Sequence, residues 1–208
     1  MPRQKTITDD EILAVARTLF LQVGAKASTR TLAKLVGISE AVIFQRFGTK
    51  ENLFFAAMVP PTAQLETIFA VRIGAERVET NLQSICVQIV AYFREVMPIF
   101  LSSIAHPAFD LPTFLQRHTL PAMQISDRLC AYLNAEADLG RIRPGSAETM
   151  AAILISHLHH LALSETIGSH HSIDLVGGAS LRRQTLRERN DNLAIADAIT
   201  LLCRGVIP

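Results

Sequence analysis

Between Thr29 and Phe47 two short stretches of helical apolar spacing are separated by only Gly37-Ile38-Ser39. No other feature limits the fold as strongly. The first stretch turns Leu32, Ala33, Leu35 and Val36 inward. A glycine at its end permits the left-handed residue that closes a helix and turns the chain sharply. Ser39 is a good N-cap for the second stretch, and Ile38 and Ile43 are spaced as a hydrophobic staple across it. Two helices joined so tightly must pack against each other, and the small Ala33 leaves room for a close crossing. A helix is expected on either side. Thr8-Asp9-Asp10-Glu11 reads as a capping box, with Ile7 and Ile12 as a staple and Gly24 as the stop, giving a helix over 9–23. Thr49-Lys50-Glu51 opens another, which must break or kink at Pro60-Pro61.

The remainder carries weaker but still helical signals. The spacing predicts helices over 63–73, 79–97, 112–136, 145–167 and 191–204, with a loop over 168–180 and no strand-like alternation. The expected class is all-α: a three-helix front domain over 1–55 and a helical bundle of five or six helices over 56–208. With 49% hydrophobic and 19% charged residues in 208, a buried core is assured and wholesale disorder excluded. Charge is unevenly placed. All four lysines (Lys5, Lys26, Lys34, Lys50) lie in the first 50 residues, and residues 1–52 hold eight basic against five acidic side chains. The rest holds twelve against fourteen, so a basic front end precedes a near-neutral body. Three scattered cysteines, with no CxxC pair, fit a reducing compartment better than a disulfide framework or a zinc knuckle. The polar N-terminus reads as no signal peptide, and no apolar run is expected to reach the ~18 residues of a membrane span, so a cytoplasmic protein is expected.

A supporting helix followed by two short helices around a glycine turn is the helix-turn-helix pattern, whose second helix enters the DNA major groove. Its outer face here offers Glu40, Ala41, Val42, Gln45 and Arg46. Gln45 suits adenine, Ala41 or Val42 a thymine methyl, and Glu40 the amino group of cytosine. Thr29-Arg30-x-Leu32-Ala33-x-x-Val36-Gly37-Ile38-Ser39, followed by Phe44-x-x-Phe47-x-x-Lys50-Glu51-x-Leu53, resembles the TetR-like bacterial transcriptional regulators over residues 8–55. The resemblance implies a DNA-binding domain on a helical ligand-binding and dimerisation domain, in a repressor released from its operator by a small molecule. It places Thr29 and Lys50 at phosphate contacts and Arg30 where a guanidinium can fork onto guanine. Ser39 and Phe44 complete the set, although Phe44 stands where the family usually has tyrosine and Glu40 where glycine, lysine or glutamine is usual.

In the body, Tyr92, Phe93, Met97, Phe100, Phe109, Phe114, His118 and Met123 are an expected lining for a hydrophobic or aromatic ligand, with His157 as a further contact; the alternative is that they fill a core. His157-Leu158-His159-His160 lacks the spacing and the acid of a catalytic zinc helix, and no metal or cofactor is expected. Nothing assembles an enzyme: there is no GxSxG elbow, phosphate loop or carboxylate pair. His170-His171 reads as solvated, and Arg182, Arg183, Arg187 and Arg189 as a solvated or acidic-partner stretch rather than a second DNA site. Specific operators require two recognition helices about 34 Å apart, hence a homodimer on a palindrome. The resemblance puts the interface on the last two helices, where Ala151, Ala152, Leu154, Ile155, Leu158 and Leu161 would face Leu193, Ala194, Ala198, Ile199 and Leu202. Ligand in the body is expected to shift the fourth helix about a Pro60-Pro61 hinge. The alternatives are a regulator without an inducer, or a helical ligand-binding protein whose DNA-binding domain has weakened.

Overall fold

The computed structural model describes residues 7–24, 26–60, 64–117, 119–169 and 179–207, with side chains undescribed at 117, 168–169 and 179–189. Among these residues the chain forms ten helices and no strand. They are α1 (Asp9–Val23), α2 (Thr29–Val36), α3 (Glu40–Phe47), α4 (Lys50–Ala57), α5 (Gln64–Ile68), α6 (Val78–Ile104), α7 (Leu111–Arg117), α8 (Pro121–Asp138), α9 (Ala147–Ser169) and α10 (Ala179–Val206).

Two compact units divide the chain: Met1–Pro60 with Pro98–His118, and Pro61–Met97 with Thr119–Pro208. The first thus takes in a later segment that the sequence reading assigned to the second domain.

The first four helices follow their local signals. Thr8 and Glu11 form the reciprocal capping box, with the Glu11 N–H donating to Thr8 Oγ1 (3.2 Å) and the Thr8 N–H to Glu11 Oε2 (2.9 Å). Gly37 takes φ 74° and ψ 27°, the left-handed conformation that costs a glycine nothing, and its N–H donates to the Ala33 carbonyl. Ile12, Ala16, Phe20, Leu32, Ala33, Ile43, Leu53, Phe54 and Ala57 build this unit's core, with Ile99 added from the later segment. Ile43 is the only fully buried side chain of α3 and Phe47 is half-buried against the same core.

The second unit is built less locally, and here the structure departs from the expected boundaries. α6 runs through Pro98 to Ile104 because Val96, Met97 and Ile99 are all buried around it; that burial outweighs the ~3 kcal/mol a helix-interior proline costs. This makes α6, at 27 residues, long and apolar enough to cross a membrane by length and composition, contrary to expectation. Half of its most apolar stretch is buried inside the protein, as in a core helix. The helix expected over 112–136 is two, because Pro121 cannot continue α7 and instead opens α8 at a position where its missing N–H costs nothing. α5 is only five residues, and α10 starts twelve residues earlier than expected. The body's core comprises Leu82, Ile85, Ile89, Tyr92 and Phe93 of α6, Ile125, Leu129 and Leu133 of α8, Leu154 and Leu158 of α9, and Ile195 and Ile199 of α10.

Charged ties cross between these helices. Arg94 of α6 donates from Nε to Glu165 Oε2 of α9 (2.5 Å) and from Nη2 to Asp191 of α10. Glu136 of α8 is fully buried; its Oε1 accepts the Gly74 N–H (3.2 Å) and its Oε2 lies 3.0 Å from Arg141 Nη1.

Candidate nucleic-acid interface

The residues singled out on the helix-turn-helix do not form one uniform solvent-facing row. On α3, Ala41, Phe44 and Gln45 are exposed and share one face at helical spacing; Phe44 keeps 41% of its surface. Val42 and Glu40 are half-buried. Ser39 Oγ accepts the Val42 N–H (3.3 Å), so its hydroxyl is the N-cap of α3. Arg30 at the start of α2 is open to solvent, and Lys50 at the start of α4 is half-buried beside Thr49, whose hydroxyl caps α4 through the Asn52 N–H (3.1 Å).

Three of the expected DNA contacts are engaged inside the domain. The Thr29 hydroxyl, on a residue only 9% exposed, gives its proton to Glu40 Oε1. A phosphate at that place could take a hydrogen bond from the Thr29 backbone N–H but not from this hydroxyl. Glu40 is therefore occupied twice, since its other oxygen sits 3.9 Å from Arg30 Nε. Its carboxylate lies at the first position of α3 and against the first residue of α2, where two helix N-termini favour negative charge. Ser28, at the N-cap position of α2, makes no side-chain cap bond. Arg46 donates from Nη1 to the Ile7 carbonyl (2.8 Å) and to Asp9 Oδ1 (3.0 Å), which ties α3 to the entrance of α1.

One positioning residue escaped the sequence reading. Arg17 of α1 donates from Nε to the Ala57 carbonyl (2.7 Å) and from Nη2 to the Val59 carbonyl (2.8 Å), satisfying the end of α4 with a cation, as helix C-termini prefer. The signal was present: Arg17 has only Leu13, Ala14, Phe20 and Leu21 at its helical neighbour positions, with no acid to pair it locally.

The expected ligand contacts fall in two places. Phe109 packs on Phe55 (ring centroids 6.3 Å) and Phe114 (5.7 Å) in the first unit, where Phe100 also lies half-buried and His106 stacks on Phe54 at 4.6 Å. Tyr92, Phe93 and Met97 are buried in the second, with burial, then Glu95, pushing the Tyr92 phenol up to about 12. Phe93 meets His159 edge-on (5.5 Å), and the buried Nε2 of His157 has no hydrogen-bond partner among the described residues. Met123 is 55% exposed and His118 lies outside the described residues, as do His170, His171 and Pro61. A groove of about 1130 Å³ between α6 and α10 has mixed walls, with Val87, Ala196 and Ile207 beside Arg77, Gln83, Asn192 and Arg204; none of the expected ligand residues lines it.

The expected dimer surface needs correction. Ala151, Leu154, Leu158 and Ile199 are at most 2% exposed because they face their own chain's core, while Ile155, Leu161 and Leu202 pack partly against it. Among the described residues, the apolar ones left outward are Ala152, Ile153 and Ile167 on α9 and Leu193 and Leu201 on α10, of which Ile153, Ile167 and Leu201 were not expected.

Residues 12–57 match the sequence model of the bacterial regulatory proteins of the tetR family. Over the whole chain the fold matches solved structures. One is a protein from Mesorhizobium loti assigned to the TetR-family transcriptional regulators, with TM-score 0.69 and 18% identity over 96% of both chains. Another is a transcriptional regulator from Rhodococcus sp. Rha1, with TM-score 0.63 and 23% identity over 97% of this chain and all of that one. A third is a TetR variant from Acinetobacter baumannii in complex with minocycline, with TM-score 0.58 and 14% identity over 96% and 98%. No curated protein matches the chain. The N-terminal helix-turn-helix domain is thus TetR-like and a helical domain follows it.

Proposed function

We propose that this chain is a sequence-specific DNA-binding transcriptional regulator, acting in the cytoplasm as a homodimeric repressor that a small, largely hydrophobic ligand releases from a palindromic operator. The observation that carries the reading is the outward face of α3. A short helix presents Ala41, Phe44 and Gln45 exposed, with no hydrogen bond from the Gln45 side chain among the described residues, and with Arg30 and Lys50 at the starts of the flanking helices, on a domain matching the tetR-family model. Gln45 can pair with adenine and Ala41 can meet a thymine methyl, while Arg30 and Lys50 supply charge for phosphate or guanine. The outward Ile153, Leu193 and Leu201 would form the contact between subunits on α9 and α10, because exposed leucine and isoleucine on adjacent helices gain most by pairing. The minocycline-bound TetR structure supports a small ligand as the effector.

The test is binding of the purified protein to duplexes selected from a random-sequence pool, followed by fluorescence anisotropy at several salt concentrations. The reading expects a twofold-symmetric selected site and affinity that falls steeply with salt, since each neutralised phosphate contributes about 0.9 to the log–log slope. Selection that enriches no sequence, or binding indifferent to salt, would overturn it.

A further inference from the structure

Glu40 is an acid on the face that a polyanion would approach, and its surroundings explain why it is there. Both of its oxygens are engaged by the neighbouring helix: Oε1 accepts the buried Thr29 hydroxyl, and Oε2 faces Arg30 Nε at 3.9 Å. Thr29 is the anchor, being 9% exposed at the base of α2. Arg30 is the free end, with 78% of its side chain open to solvent. A guanidinium approached at Nε keeps both terminal nitrogens unoccupied, and those two form the fork that matches O6 and N7 of guanine.

We propose that Glu40 is a positioning residue for DNA recognition: held by Thr29, it draws Arg30 by its Nε side so that the two Nη groups face the DNA. Glu40 contacts no base itself. The unusual acid then sets specificity through Arg30, and its charge is compensated by the N-termini of α2 and α3 as well as by the guanidinium. An isolated arginine on an exposed helix start samples many rotamers, so tethering it lowers the ordering cost of the DNA contact.

This rests on the DNA-binding reading, and a double-mutant cycle separates the two. Wild type, Glu40→Gln, Arg30→Ala and the double variant are titrated against the duplex that wild type selects and against its single-base-pair variants. Glutamine keeps an acceptor for Thr29 and loses the charge that draws Arg30. Glu40→Gln is expected to weaken binding about 3–10-fold, to relax the same base pair as Arg30→Ala, and to have no further effect once Arg30 is gone. Thr29→Val, which removes only the anchor, should weaken binding in the same direction, and it provides the readout if Glu40→Gln lowers the melting temperature. Three results would overturn the proposal: an equal loss from Glu40→Gln with and without Arg30, relaxation of a base pair that Arg30→Ala leaves intact, or binding by Glu40→Gln unchanged or tighter. If wild type selects no duplex at all, the DNA-binding reading itself falls, and this one with it.

Discussion

The first unit and the second use charge in opposite ways. In the helix-turn-helix, the charged side chains that make ties stay partly open to solvent: Glu40 with Thr29 and Arg30 across one turn, and Arg46 with Asp9 at a helix entrance. The body has exposed pairs too, such as Glu66 with Arg128, but it adds ties that sit partly or wholly inside. Arg94 reaches residues 71 and 97 positions away, and Glu136 is 0% exposed. The comparison teaches where each fold's uniqueness comes from. Caps and a glycine turn already specify three crossing helices, so charge is not needed there to fix their register. Long apolar helices can slide or rotate against one another, and a buried or half-buried ion pair penalises the wrong register.

The strongest way to break this comparison is to remove the apolar pin of the first unit. Ile43→Ala empties the one fully buried position of α3, with an expected loss of about 2–5 kcal/mol in chemical denaturation. A loss below about 1 kcal/mol would mean that surface ties, not the core, hold α3.

Arg94→Met probes the second unit. It leaves the carboxylates of Glu165 and Asp191 close together without their shared cation; burial disfavours the Arg94 charge, but Asp191 and then Glu165 more than restore it and raise its pKa. Breaking a wholly buried pair costs about 3–5 kcal/mol; with these side chains 15–26% exposed, about 1–3 kcal/mol is expected at neutral pH. Because the two neighbouring carboxylates lose their shared guanidinium, the deficit should shrink toward acid pH. Equal destabilisation at pH 4 and pH 7 would show that packing of the Arg94 stem, rather than charge, joins α6 to α9 and α10.

The smallest effect belongs to the exposed pair of Glu66 and Arg128, whose hydrogen bond at 2.5 Å, together with the guanidinium charge, holds the Glu66 carboxyl below its ordinary range. A carboxylate lowered on folding contributes stability that is present above its unfolded pKa and lost as pH falls through its folded one. Arg128→Ala should move the Glu66 titration, read by NMR, up toward the usual glutamate value while leaving the melting temperature at pH 7 nearly unchanged. A large melting shift would put this surface tie in the class of the buried ones and erase the contrast between them.

The sequence by itself determined the all-helical class, the starts of the first four helices and the location of the helix-turn-helix segment. Those depend on interactions spanning four residues or fewer: the Thr8–Glu11 box, the left-handed Gly37, and the Ser39 and Thr49 caps. Tertiary structure decided the rest. Whether Pro98 would end α6 depended on burial along both of its flanks, and whether Leu154 and Leu158 faced a partner or their own core depended on how α9 was rotated. The partners of Glu40, Arg46 and Arg17 lie 10 to 42 residues away in the chain. Periodicity reports that a face is apolar or that a charge is outward; it carries no information about which distant group that face or charge will meet.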